Sequence, residues 1–358
     1  MTGDTVGGVW TFTLELAECL ADRGIEVVLV AFGGKASPAQ AAAAKAIPGL
    51  CFMDSEHRLE WMEEPWQDVE ASGRWLMEIE GEYRPDVVHL NSFGHGALPW
   101  HAPVVLTGHS CVLSWWQAVK GGNAPTAWDR YREAVTKSLT AAQVISAPSA
   151  AMARAIEALY GLALHRCRVV HNGRSAAKFS PRKKEPFVFT AGRLWDEAKN
   201  LDALMRAASK ISWPVYCAGE AAESPQGGCN MLGRLSECEI SEWYGHATIY
   251  AMPARYEPFG LSILEAALSG CALVLGNIPS LREIWGEDAV FVPPNDSDAL
   301  ETTLRRLIED PERCRELAQR AHLRALGLNA NRMARAYIGA YQEAMTAPFP
   351  LRSRSCDL

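Results

Sequence analysis

Arg255-Tyr256-Glu257-Pro258-Phe259-Gly260-Leu261-Ser262-Ile263-Leu264-Glu265-Ala266-Ala267-Leu268-Ser269-Gly270, preceded by the apolar run 247–253, is the stretch on which the reading of this chain turns. The pattern predicts a strand, a short polar turn, and a helix that opens at Gly260 and closes at Gly270, since glycine commonly stands just past a helix end. A helix start presents unpaired N–H groups, here those of Phe259, Gly260, Leu261 and Ser262, together with the positive end of the helix dipole. That combination is an anion seat, and a phosphate is the natural occupant. Gly260 has no side chain to hold a ligand away from the backbone. Glu257 stays in the turn and Glu265 lies more than a helical turn further in, so the two carboxylates reach different parts of one bound molecule.

The bulk properties fit a two-domain globular protein. A length of 358 residues is enough for two cores, and 48% hydrophobic with 22% charged residues is an ordinary soluble composition. No run of 18 apolar residues occurs, so no spanning helix is expected, and peripheral membrane contact stays open. The N-terminus has no basic region followed by an apolar core, so a cytoplasmic protein without a secretory signal is expected. Ten cysteines without a C-x-x-C pair suit reduced thiols and give no ligand set for zinc, so no metal and no cofactor are expected. Residues 1–140 hold 18 acidic against 10 basic side chains, which does not suit nucleic acid as a partner. The sequence is silent on oligomeric state.

Taken in order, Thr5-Val6-Gly7-Gly8-Val9 is a loop feeding an amphipathic helix over 9–23, with Gly24 as its stop, and 25–32 is a buried parallel strand. This is half of a mononucleotide-binding unit. The strand that should precede Gly7-Gly8 is missing from the pattern, so the first strand is expected to be truncated and Met1 to be one of its internal residues. Gly7 and Gly8 are read either as a tight turn or as a close approach to a donor phosphate or sugar. Residues 35–54 are poorly periodic, 59–82 look helical, and 86–91 and 103–107 read as strands, the latter ending in Gly108-His109-Ser110. Functional residues of open parallel sheets gather at such carboxyl ends, which singles out His109. Trp115, Trp116 and Trp128 follow, read equally as an acceptor platform that stacks on sugar rings or as a Trp-rich core. A strand over 142–149, a Ser-capped helix over 150–160 and a strand over 168–171 close the first half, and the polar linker 175–186 is taken as the domain boundary. The second half opens with a strand at 187–191 that delivers Gly192-Arg193-Leu194 and then Lys199-Asn200.

The Glu257 to Glu265 spacing around Phe-Gly-Leu, with Ala266-Ala267 and Gly270, resembles the signature of retaining glycosyltransferases of the GT-B type, the glycosyltransferase family 4 or glycosyl transferases group 1 class. The resemblance runs over nearly the whole chain and is strongest over 187–296. It implies an α/β GT-B fold, two Rossmann-like domains facing a central cleft: an acceptor domain at 1–181, a nucleotide-sugar domain at 182–329, a helix at 330–346 returning to the first domain, and a tail at 347–358. It further implies that His109 and Glu257 hold the transferred sugar, that Arg193, Lys199 and the amides of Phe259, Gly260, Leu261 and Ser262 hold the diphosphate, and that Glu265 holds the ribose. Gly7 and Gly8 approach the donor, Asn172 belongs to an Asn-Gly turn beside it, and backbone near Leu235 reads the base. Two departures stand out: Arg174 follows Asn172-Gly173 where the family carries an aliphatic residue, and Asn200 stands where a glycine follows the lysine.

The implied reaction moves a hexose from a nucleoside-diphosphate sugar, UDP- or GDP-linked, to a hydroxyl acceptor with retention, by same-face attack assisted by the leaving diphosphate. Fixed cations stabilise that leaving group without a metal. The alternatives carried alongside are a GT-B sugar-nucleotide epimerase and a non-catalytic nucleotide-sugar binding module. A glycosidase is disfavoured, because one turn carboxylate and one along a helix do not flank a scissile bond.

Overall fold

A computed structural model describes residues 1–163, 167–221 and 228–348, and the frayed tail expected at 352–358 lies outside them. The chain divides into two compact units. One comprises Met1–Trp116, Gly122–His171 and the chain from Met333 onward; the other comprises Gln117–Gly121 and Asn172–Arg332.

The first unit is built on parallel strands. Strands β1 (Thr2–Asp4), β2 (Val27–Phe32) and β3 (Leu50–Asp54) form one sheet in chain order. Strands β4 (Val88–Leu90), β5 (Val104–Thr107), β6 (Val144–Ala147) and β7 (Cys167–Val169) form a second, also in chain order. A strand absent from the sequence pattern stands before Gly7-Gly8: Thr2-Gly3-Asp4 pairs with Val30, Ala31 and Phe32. Its residues carry no apolar run, and the pairing of β1 with β2 supplies what composition does not signal. Residues 35–54 also hold more structure than their periodicity suggests. Ser37 caps a Pro38–Lys45 helix through a capping box with Gln40, and β3 follows.

Between β1 and β4 side chains replace the ladder. The Asn91 amide donates to Thr2 Oγ1 at 2.9 Å and the Asn91 carboxamide donates to the Thr2 carbonyl at 2.7 Å. The helix Ala330–Thr346 carries Tyr337 and Tyr341 into this unit, where both are buried. Tyr341 lies 2.9 Å from His89 Nδ1, and His89 Nε2 lies 2.8 Å from Thr107 Oγ1, so the buried histidine is satisfied on both sides.

The second unit holds one six-stranded parallel sheet, β8 (Glu185–Ala191), β9 (Val215–Ala218), β10 (Cys229–Gly233), β11 (Ala247–Met252), β12 (Ala272–Gly276) and β13 (Val290–Val292), in the order β10-β9-β8-β11-β12-β13. Helices cover both faces, which is why β12 is buried throughout and β11 at every position but the half-buried Thr248. The helix Leu261–Leu268 buries Ile263, Leu264 and Leu268, each contributing about 1.5–3 kcal/mol of transfer free energy. Growth of the sheet reverses between β8 and β11, the switch point at which open α/β sheets form their crevice. The chain enters this unit at Asn172, ahead of the 175–186 linker expected as the boundary. The reason is local: a Cβ on Gly173 would lie 2.3 Å from the Asn329 carbonyl, and Arg174 is tied to Glu237 and Glu265 within this unit.

Backbone approach is closest above β8 and β9. Gly219, at φ +133, lies so near Gly192 that an added Cβ would sit 1.9 Å from its carbonyl oxygen. Gly219→Ala is therefore expected to destabilise by roughly 3 kcal/mol or more. The exposed helical Gly81, with open space around it, serves as the control: Gly81→Ala should stabilise by about 0.5–1 kcal/mol, both changes read by denaturant unfolding.

Candidate active site

At the second unit's switch point the turns after β8 and β11 bring four predicted residues together. The Leu261–Leu268 helix is N-capped by Gly260 at φ 91, a residue with no side chain to bond its amides. Phe259 is buried and anchors the turn, and the Tyr250 hydroxyl lies 2.9 Å from Ser262 Oγ. The helix opens at Leu261 rather than Gly260, and Gly270, at φ 75, lies just past its end.

Lys199 Nζ is bonded to Glu257, with only 13% and 12% of the two side chains exposed. The cation expected at the diphosphate and the carboxylate expected at the sugar therefore neutralise each other in the free protein. Lys199 sits at the end of a 3-10 turn, Glu197–Lys199, whose N-cap Asp196 accepts from the Ala198 amide at 3.0 Å. The next residue explains a departure from the family pattern. Asn200 adopts the left-handed conformation at φ 57, which glycine takes most easily and asparagine tolerates. Its carboxamide then bonds the carbonyls of Pro253, at 2.9 Å, and Pro294, at 2.6 Å, fixing the turn over the strand ends.

Arg193 is half-exposed, 3.6 Å from Asp196 and with its guanidinium 5.5 Å from the centroid of the Trp195 ring. Trp195 is itself 45% exposed, an unusual state for a large aromatic, and it steadies Arg193 from one side. Glu265 meets Arg174 Nε at 3.0 Å. The Arg174 side chain, 4% exposed, also reaches Glu237 at 3.1 Å and lies 5.0 Å from the Phe179 ring centroid. Arg174 thus belongs to the surroundings of the predicted ribose carboxylate, and its mismatch to the family pattern is the one sequence signal that points there. Asn172 is buried with its Oδ1 unpartnered among the described residues, and Leu235 is half-buried just past β10.

On the first unit, Gly7 N-caps the Gly8–Ala21 helix at φ 104, again with no side-chain cap, and both glycines are exposed. His109 follows β5 with its Nε2 2.9 Å from Asn91 Oδ1 and its ring edge-on to Phe12 at 4.5 Å. Its ring is partly exposed, yet the protein around it pushes its pKa down to about 3 by desolvation, so it is neutral near pH 7. Trp115 and Trp116 lie on a Val112–Lys120 helix, half-buried and with ring centroids 6.0 Å apart. Trp128 packs on Tyr131 at 5.8 Å. Among the described residues, no helix is long and apolar enough to cross a membrane, and no group of three or more His, Cys, Asp or Glu could hold a metal ion.

The sequence model of Glycosyltransferase Family 4 matches residues 6–178, and that of Glycosyl transferases group 1 matches residues 173–324. The chain belongs to the family 4 type of GT-B glycosyltransferase. A glycogen synthase of Mycobacterium tuberculosis is 28% identical over 68% of the chain, and the match spans 64% of that enzyme's own length. The structure is similar to that of sucrose-phosphate synthase from Thermosynechococcus elongatus, with a TM-score of 0.81, 18% identity and coverage of 96% of this chain and 95% of that one. HepE of Anabaena, solved in complex with UDP-glucose, has a TM-score of 0.76 at 16% identity, covering 95% of this chain and 98% of its own.

Removing one member of the buried pair leaves its partner's charge uncompensated. Lys199→Met is expected to cost about 1–3 kcal/mol of stability, and adding Glu257→Gln should restore most of it. The double-mutant cycle by chemical denaturation measures this directly.

Proposed function

We propose that the protein is a retaining glycosyltransferase that moves a hexosyl group from a nucleoside-diphosphate sugar to a hydroxyl acceptor. The observation that carries the reading is the glycine-led helix start at Gly260 beside the Lys199–Glu257 ion pair, with Arg193 at the end of the neighbouring strand. In it the amides of Phe259, Gly260, Leu261 and Ser262, with Arg193 and Lys199, take the diphosphate on the second unit. Glu257 holds the sugar, Glu265 the ribose, and Asn172 and Leu235 line the nucleotide. His109 holds the transferred sugar, Gly7 and Gly8 approach the donor, and Trp115, Trp116 and Trp128 offer aromatic surface to the acceptor.

As the bond to the anomeric carbon breaks, negative charge grows on the departing diphosphate. Preorganised cations and amides stabilise that charge more than they stabilise the ground state. No side chain is placed as a nucleophile in this reading; the leaving phosphate takes the acceptor's proton and attack comes from the same face. A UDP-linked sugar is the favoured donor, supported by the likeness to HepE, and a GDP-linked one is the second choice.

Thermal-shift measurements against UDP-, GDP-, ADP- and dTDP-sugars test the donor. The correct one at about 100 times its dissociation constant adds about 2.7 kcal/mol, while no response to any of them removes the reading. With the donor in hand, proton NMR of the product reads the anomeric configuration, and release of an altered sugar without an acceptor would indicate an epimerase. Arg193→Ala is expected to lower kcat by about a hundredfold or more, with a smaller change in donor affinity, if it serves the developing charge. Glu257→Gln should weaken binding of the sugar nucleotide more than that of the bare nucleoside diphosphate, measured by calorimetry.

A further inference from the structure

The bonds around His109 settle which of its nitrogens carries the proton. The Asn91 carboxamide has only one satisfactory orientation, because the atom facing the Thr2 carbonyl at 2.7 Å must be the NH2 group. The flipped amide would set two acceptors against each other. The Asn91 atom 2.9 Å from His109 Nε2 is therefore the carbonyl oxygen, and it needs a donor there. The Asn91 main-chain amide, bonded to Thr2 Oγ1 at 2.9 Å, holds the residue in register from a second direction.

We propose that Asn91 is a positioning residue: oriented by Thr2, it fixes His109 as the Nε2–H tautomer, so that the ring offers the transferred sugar an uncharged lone pair at Nδ1. This rests on the glycosyl-transfer reading above. The group recognised is a sugar hydroxyl acting as donor, because a bare lone pair repels phosphate oxygens. Neutrality has a further use. The sugar gains oxocarbenium character as its bond to the diphosphate breaks, and a cation against it would oppose that charge. Phe12 covers one side of the ring, and among the described residues the other titratable group bearing on it is His89, which burial also holds uncharged. Asn91 is itself neutral, so it fixes the proton without drawing a second one onto the ring.

The test uses the full chain with 15N-labelled histidine, His109 being assigned by its loss in His109→Asn. Two-bond 15N–1H spectra of the wild-type protein should show Nε2 protonated and Nδ1 bare from pH 5 to 8. A ring protonated at Nδ1, or charged within that range, overturns the proposal without recourse to any other variant. In Asn91→Asp a carboxylate faces Nε2, which should raise the histidine pKa by about one to three units and bring its titration toward the accessible range. Hydrolysis of UDP-glucose, or of the sugar nucleotide that gives the thermal shift, with water taking the sugar, should then fall relative to wild type as the pH is lowered through the pKa that the Asn91→Asp spectra give, about twofold at that pH. If the ring in Asn91→Asp titrates within this range and turnover still follows the wild-type profile, His109 does not face the sugar, and the sugar-recognition half is overturned. If the wild-type protein binds no sugar nucleotide in the thermal-shift measurement, the glycosyl-transfer reading falls, and with it the sugar-recognition half, while the spectra still decide the tautomer.

Discussion

The parallel pairing of β8 with β11 is the constraint on which the second unit depends. Sequence neighbours add outward from β8 to β9 and β10, and from β11 to β12 and β13, so only at this seam do the following turns leave in opposite directions. The turn after β8 carries Arg193 and Lys199, and the turn after β11 carries Glu257 and the Gly260 helix start. A site at this seam needs no long loop to assemble it. It needs backbones that approach closely, and the contact of Gly219 with Gly192 supplies that on the β8 side. Side chains that stitch one turn to the next complete it, as Asn200 does between the carbonyls of Pro253 and Pro294.

The first unit uses the same logic with weaker local signals. Its strands also reverse between β1 and β4, but there the backbones do not join, and Thr2 and Asn91 span the seam through side-chain bonds. A seam bridged by side chains can pass orientation to its neighbours, because each bond in the chain has a fixed donor and acceptor. His109 receives its tautomer in this way.

Legibility in the sequence followed burial. The Ser-capped helix Ala150–Tyr160 stands at the limits that its apolar periodicity and cap mark, because it buries the face formed by Met152, Ala153, Ile156 and Tyr160. Elements that bury little were hidden. Strand β3 is half-buried along its whole length, and the Pro38–Lys45 helix is alanine-rich with only Ala44 buried, so neither carries a strong period. Strand β1 is short and polar in composition, and only its partner β2 defines it. Of the residues that the proposed reading uses, Arg193, Lys199, Glu257 and Glu265 sit in motifs legible in the sequence. Asn91 and Trp195 do not, since their roles come from neighbours distant in sequence or from an exposure that sequence does not encode. Arg174 and Asn200 were noticed as mismatches, and the structure gives each a physical task.

The closed Lys199–Glu257 contact has a bearing on competition in a crowded solution. On the proposed reading, inorganic phosphate arriving alone would have to part the two groups and leave the carboxylate only water in place of the ammonium. A complete sugar nucleotide brings an anion for one and hydroxyls for the other in the same encounter. The resting lock therefore discounts abundant small anions and opens economically only for a molecule that carries both halves of the key.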